Sequence, residues 1–168
     1  TDRPGKSMAA VDLEEVRAAI QVIQEAQPAA MRGSGSPALT VLHCTSAYPA
    51  DFADVNLAAM TTMAAEFGLD IGYSDHTTGI FVAPVAVAMG AVMIEKHITL
   101  DRTMTGPDHS ASIEPDELKA MIAAIQDAER LLGDGVKAPR PVEEEARRLV
   151  RRGLKAARDL PEGTRLAQ

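Results

Sequence analysis

The residues of this chain that could do chemistry gather around its histidines. Three clusters hold most of them: His43-Cys44-Thr45-Ser46-Ala47-Tyr48-Pro49, Gly72-Tyr73-Ser74-Asp75-His76-Thr77 and Glu95-Lys96-His97-Ile98-Thr99-Leu100-Asp101. Along an extended strand successive side chains point to opposite faces. Glu95, His97 and Thr99 therefore share one side while Lys96 and Ile98 take the other, and Ser74 and His76 are likewise two apart. A carboxylate and an imidazole would then face one cavity. Two imidazoles from neighbouring strand ends, His76 and His97, in an oxygen-rich pocket could hold a divalent metal and leave positions for water and substrate, a donor set that suits Mn²⁺, Mg²⁺ or Zn²⁺.

The remaining candidates have blander readings. A lone histidine in a loop is more often a hydrogen-bonded structural residue than a ligand, and His43 and His109 are read that way. Cys44 is expected to be a small packing residue. Lys96, turned away from Glu95, is expected under a helix or in a salt bridge, and Met60, Met63, Met89 and Met121 on helical stripes are expected in the core. No GxGxxG or P-loop pattern occurs, and Gly33-Ser34-Gly35-Ser36 is too generic for a phosphate cradle.

The elements that must position these clusters alternate in type. Asp12 to Ala26 reads as an amphipathic helix, with Val16, Ala19, Ile20 and Ile23 on one stripe and Glu14 and Glu15 where the helix dipole favours acids. Pro28 to Pro37 is a Gly/Pro/Ser-rich loop or linker. Strands are expected at Leu39–His43, Asp70–Tyr73 and Ala91–Lys96. Helices are expected around Leu57–Phe67, closed by Gly68, at Phe81–Met89, and from Pro115 to Leu132 with a stripe of Leu118, Met121, Ile122, Ile125 and Leu132. A polar loop, Thr99–Ser112, precedes the last helix. This order is that of repeating βα units, which build a parallel sheet with its active site at the C-terminal strand ends. Right-handed crossovers should set the three strands side by side in chain order, helices on one outer face.

From Asp134 the texture changes: Pro139 and Pro141 frame a linker, Glu143–Arg152 is a charged run expected to be a solvated helical face, and Leu154–Leu160 reads as a strand entering a turn at Pro161-Glu162-Gly163. The expected division is 1–134 for the βα units, 135–153 for the linker and 154–168 for the start of a further domain.

Composition narrows the class. With 17 basic and 24 acidic residues the formal charge is 17 − 24 = −7, which argues against nucleic acid or an anionic membrane as partner. At 46% hydrophobic and 24% charged the chain is globular rather than disordered. The apolar stretch from Ile80 to Ile94 is broken by Pro84 and is too short for a membrane span, and no signal-peptide pattern opens the sequence. A single cysteine permits no internal disulfide, and the expected location is a reducing cytoplasm.

The three clusters in this order, followed by Gly106-Pro-Asp-His109 and the stretch to Pro115, closely resemble the sialic acid synthase family, which includes N-acetylneuraminate, legionaminate and pseudaminate synthases. The resemblance runs from about Asp12 to the end of the chain. It implies a (β/α)8 barrel followed by a small antifreeze-like domain, and a reaction that condenses phosphoenolpyruvate with an N-acetylated hexosamine to a nine-carbon 2-keto acid, releasing phosphate. It also implies a manganese or magnesium ion and a homodimer for the full-length protein. By motif, His76 and His97 resemble the metal-binding histidines, Ser74 a phosphoenolpyruvate contact, and Glu95, Asp108 and Tyr48 positions that hold the amino sugar. Glu95 is the expected proton carrier. Ser46 stands where many members have Asn, also toward phosphoenolpyruvate, and the form Gly106-Pro-Asp-His-x-Ala-Ser leans toward the neuraminate or legionaminate types.

The departures carry expectations too. A complete barrel needs roughly 250 residues, and only strands resembling the sixth to eighth are present. Arg3, Lys6 and Ser7 lie near an eroded match to an earlier Lys- and Ser-containing strand, and Arg147–Gln168 resembles the linker and first strand of the antifreeze-like domain. The chain is expected to be an incomplete synthase, inactive alone. The competing class is a non-catalytic half-barrel module that pairs through exposed strand edges. A metal-dependent barrel hydrolase is disfavoured, because no His-x-His pair occurs on an early strand.

Overall fold

The computed structural model describes residues 10–26, 39–153 and 156–165. The expected Pro28–Pro37 linker and the Arg3, Lys6 and Ser7 stretch lie outside the described residues. The chain divides into two units, Thr1–Gly133 and Asp134–Gln168.

In the first unit α1 (Leu13–Ala26), β1 (Thr40–Cys44), α2 (Ala58–Phe67), β2 (Asp70–Asp75), α3 (Val82–Ala88), β3 (Ile94–Lys96) and α4 (Pro115–Leu132) follow in order. The helix ends have local causes. Asp12 accepts the Glu14 and Glu15 amides at 2.9 and 3.0 Å, and Glu15 returns to the Asp12 amide at 3.0 Å, a reciprocal cap that satisfies orphan donors. Gly68 closes α2 in the left-handed conformation (φ 60°), its amide bonded to Ala64 O at 3.0 Å. Glu114 and Glu117 form the same kind of box at the start of α4, with Pro115 in the first turn.

The strands form one parallel sheet in the order β1-β2-β3, as the alternating pattern requires. Cys44 stands opposite Ser74, and Ser74 opposite Glu95; Asp75 stands opposite Lys96. One face of the sheet carries the core: Ile71 and Tyr73 pack with Met60 and Met63 of α2 and Val82 and Ala86 of α3, and Val41 and Ile94 join them from the flanking strands. A second cluster, Ala83, Ile113 and Met121, seats α4 against α3. Parallel strands joined by helices that return over one face are successive right-handed βα units, as in a (β/α)8 barrel. We call the other face the site face.

Three expectations need correction. The third strand begins at Ile94, not Ala91, because the chain is still leaving the turn at Gly90 (φ 103°), with the Ala91 amide bonded back to Ala86 O at 3.0 Å. Met89 lies past the end of α3 and is 41% exposed rather than in the core. The α4 stripe is narrower than its apolar residues suggest: Leu118, Met121 and Ile125 pack, whereas Ile122 and Leu132 are exposed, because α4 meets only the α3 side of the core.

In the second unit a short 3-10 turn leads into α5 (Glu144–Val150), whose residues are all exposed, in keeping with a solvated charged run. The turn at Pro161–Thr164 forms, with the Thr164 amide on Pro161 O at 3.2 Å. Of the strand expected at Leu154–Leu160, residues 154 and 155 lie outside the described residues, and 156–160 bend at 157–158 and have no strand pairing. Among the described residues, no helix is long and apolar enough to cross a membrane.

Gly72 faces the site side, where an added Cβ would lie 2.4 Å from Leu42 Cδ2 and 2.7 Å from Met93 O. Main chain cannot move aside as a side-chain tip can. Gly72→Ala is expected to destabilise the chain by about 1–3 kcal/mol, read as a lower urea midpoint; an unchanged midpoint would show that the strands are not this close.

Candidate active site

The site is built on the alternation of β2 and β3. Ser74 and Glu95, paired in register on the site face, are joined by a hydrogen bond from Ser74 Oγ to Glu95 Oε1 at 2.6 Å. Two residues further along each chain stand His76 and His97, their ring centres 5.5 Å apart and their planes at 70°. The imidazoles converge with Glu95 on the same side, as alternation requires.

Tyr48 arrives from the loop after β1. The Ala50 amide bonds to His76 O at 2.9 Å and Ala50 bridges Thr77, so the loop runs back along the end of β2. This brings the Tyr48 ring 4.0 Å from His76, tilted by 32°, and 5.5 Å edge-on to His97. Partial desolvation, then the neighbouring Cys44, Asp108 and Glu95, hold the Tyr48 hydroxyl above its ordinary pKa, so it remains a proton donor at neutral pH. Asp108 comes from the loop after β3, its Oδ2 4.0 Å from His97 Nδ1. Ser46 is exposed, in the segment between β1 and Tyr48.

The buried His76 ring is oriented by main chain. Its Nδ1 lies 2.8 Å from Thr45 O, an atom that can only accept, so Nδ1 donates and in the neutral ring the lone pair is on Nε2. Nε2 faces Ser74 Oγ at 3.4 Å, but the single hydroxyl proton of Ser74 is committed to Glu95. Two lone pairs therefore face each other across a gap that a cation or an incoming donor would fill. A ligating histidine held through its other nitrogen by a carbonyl is the usual support of a metal site. Among the described residues no group of three or more His, Cys, Asp or Glu side chains is arranged around one ion, so His76 and His97 would leave the remaining positions to water or substrate oxygens.

Behind the site, on the helix face, Lys96 Nζ donates to Asp75 Oδ2 at 2.8 Å and to Thr77 O at 2.6 Å. Asp75 Oδ1 accepts the Thr77 amide at 2.9 Å and its hydroxyl at 2.7 Å. The pair is closed to water, with side chains 3% and 0% exposed. Lys96 takes the expected salt bridge, on the helix face of the sheet. Asp75, its partner, was missed as a structural residue; the signal was its parity, opposite to that of Ser74 and His76. Tyr73, fully buried on the same face, has a hydroxyl with no partner among the described residues, and burial, then Asp75 and Cys44, push its pKa well upward. His43 also points to this face, bonded to Val55 O at 2.9 Å, a structural role as expected. Cys44 lies on the site face, its Sγ 3.5 Å from His76 Nδ1.

Acid, hydroxyl and imidazole groups thus converge at the C-terminal ends of parallel βα units, the end at which (β/α)8 barrels place their functional groups. Residues 6–137 match the NeuB family, and the chain belongs to it. Over 128 residues it is 52% identical to the N,N'-diacetyllegionaminic acid synthase of Legionella pneumophila, covering 76% of this chain and 35% of that protein. It is 42% identical over 132 residues to the N-acetylneuraminate-9-phosphate synthase of Homo sapiens, covering 78% and 37%. The crystal structure of an N-acetylneuraminic acid (sialic acid) synthetase from Leptospira borgpetersenii in complex with citrate matches with a TM-score of 0.69 at 35% identity, over 86% of this chain and 49% of that one. The chain spans about a third of the length of the curated relatives it matches.

Removing one partner of the buried pair leaves an uncompensated charge. Lys96→Met is expected to cost about 3–5 kcal/mol, whereas Glu95→Gln, one residue away on the exposed site face, should change stability by about 0.5 kcal/mol or less. Denaturant unfolding of both variants checks this, and equal effects would contradict the assignment of faces.

Proposed function

We propose that this chain carries the acceptor and metal half of a nonulosonic acid synthase site, which condenses phosphoenolpyruvate with an open-chain N-acetylated hexosamine such as N-acetylmannosamine. The observation that supports this most is the meeting of Ser74, Glu95, His76, His97, Tyr48 and Asp108 at one end of the sheet. Family membership points the same way.

In this reading His76, through Nε2, and His97 would hold a Mn²⁺ or Mg²⁺ ion, which when bound would act as a Lewis acid on the sugar aldehyde. The chain's own residues do the rest. Glu95, Tyr48 and Asp108 hold the sugar, the two carboxylates accepting from its hydroxyls and the Tyr48 ring covering it. Glu95 takes or returns a proton at the sugar or at the water that adds to the former enol carbon, with Ser74 orienting the carboxylate. Ser74 and Ser46 also face the enolpyruvate. The phosphate and carboxylate of that substrate need cations, and Lys96, although adjacent in sequence, is committed to Asp75 on the far face.

The 168-residue chain alone is expected to bind but not to turn over. Glu95 and Tyr48 are exposed on a three-stranded sheet, so water reaches the site and the preorganised pocket that lowers the barrier is absent. The test is titration with N-acetylmannosamine in the presence of Mn²⁺, with phosphate release measured alongside. Sugar binding weakened at least about tenfold by Glu95→Gln, equivalent to one charge-assisted hydrogen bond, supports the reading. Failure of the unsubstituted chain to bind the sugar contradicts it. Turnover abolished by His97→Ala would overturn only the expected inactivity.

A further inference from the structure

We propose that His109, the histidine outside the metal pair and the core, is a positioning residue: anchored to Thr99, it fixes the Thr99–Ser112 loop so that the Asp108 carboxylate stands at the rim of the pocket, free to meet a hydroxyl of the acceptor. The identity of that ligand rests on the function proposed above; the latch does not.

The loop is tied down in two halves. At its base the Ile113 amide bonds to His97 O at 3.0 Å and the Thr99 amide to Ile113 O at 2.9 Å, so the segment leaves and returns at the same point beside β3. Its first half is fastened to α4: Arg102 donates from Nε to Ser112 O at 3.0 Å and pairs with Glu117, while its amide bonds to Glu114 Oε1 at 3.1 Å. The second half, Gly106 to Ala111, carries Asp108 and none of those ties. There Thr99 Oγ1 meets His109 Nδ1 at 2.7 Å, Thr99 being buried, and Ser112 Oγ donates to Asp108 O at 2.7 Å. Gly106 lies against the imidazole so closely that a Cβ there would come within 2.8 Å of His109 Cδ2.

Asp108 itself indicates what the latch is for. It occupies the N-cap position of the short turn His109–Ala111, where an aspartate ordinarily turns its carboxylate onto the free amides. Here it makes no such cap bond, and the carboxylate is directed instead to within 4.0 Å of His97 Nδ1. The loop is held by its main chain and by His109, which leaves the acid available.

The test uses the full chain and its His109→Ala and His109→Asn variants. Hydrogen exchange at the Ala111 and Ser112 amides, each 3.2 Å from its acceptor within the loop, reads the latch with no ligand present. Titration with N-acetylmannosamine reads Asp108, and titration with Mn²⁺ reads the histidine pair. His109→Ala is expected to speed exchange at both amides and weaken sugar binding, each by about tenfold or more, with Mn²⁺ affinity within about twofold and the melting temperature unchanged. Asn, whose amide can still reach Thr99, should restore much of the loss. Unchanged exchange, or sugar and Mn²⁺ affinities falling together, would overturn the proposal. If the unsubstituted chain binds no sugar, the proposed function fails while the exchange data still decide whether His109 holds the loop.

Discussion

The meeting of Asp75 and Lys96 on the buried face of the sheet is the constraint from which the site follows. Each is flanked in sequence by site residues, Ser74 and His76 on one strand and Glu95 and His97 on the next. A cross-strand ion pair 2.8 Å long therefore fixes, through the pleat alone, which residues must meet on the opposite face. The register cannot slip without stranding a desolvated charge, and a slip of one residue would also turn the imidazoles toward the helices. Buried ion pairs add little net stability compared with apolar packing. What this one confers is a unique alignment at the end of two short strands, where only a few ladder bonds would otherwise set it.

Main chain and loops then refine what the strands present. Thr45 O selects the tautomer of His76, the Ala50–His76 hydrogen bond brings Tyr48 over His76 and edge-on to His97, and the Thr99–His109 contact holds the loop that carries Asp108 toward His97. Ser74 and His76 are buried at the end of β2, whereas Ser46, Tyr48 and Asp108 on the loops are exposed.

Much of this was legible in the sequence because β-strand parity is a strict rule. The shared side of Glu95 and His97 and the reversed direction of Lys96 follow from it, while the parallel order of the strands follows from the alternation of helix and strand with right-handed crossovers. The family resemblance rests on contiguous motifs, and membership is established by the match over residues 6–137. What parity could not give was distance along the chain: Asp108 is eleven positions beyond His97, and its approach depends on Arg102, Thr99 and His109 folding a loop that has no period to read. Met89, Ile122 and Leu132 were overestimated for a related reason. Helical periodicity identifies an apolar stripe but not how much of it a neighbour covers, and α4 is covered only where α3 and Ile113 reach it. Residues 156–160 have a strand-like composition, but a strand exists only with a partner, and these residues pair with none among the described residues.

The claim that His76 and His97 share one ion on the site face is tested most directly by adding substoichiometric Mn²⁺ to the histidine-labelled chain and following the imidazole resonances by NMR. Paramagnetic broadening should be strongest at His76 and His97, weaker at His109 and least at His43, which lies on the helix face bonded to Val55 O. Broadening spread evenly over the four histidines, or absent from His76 and His97, would contradict the shared site.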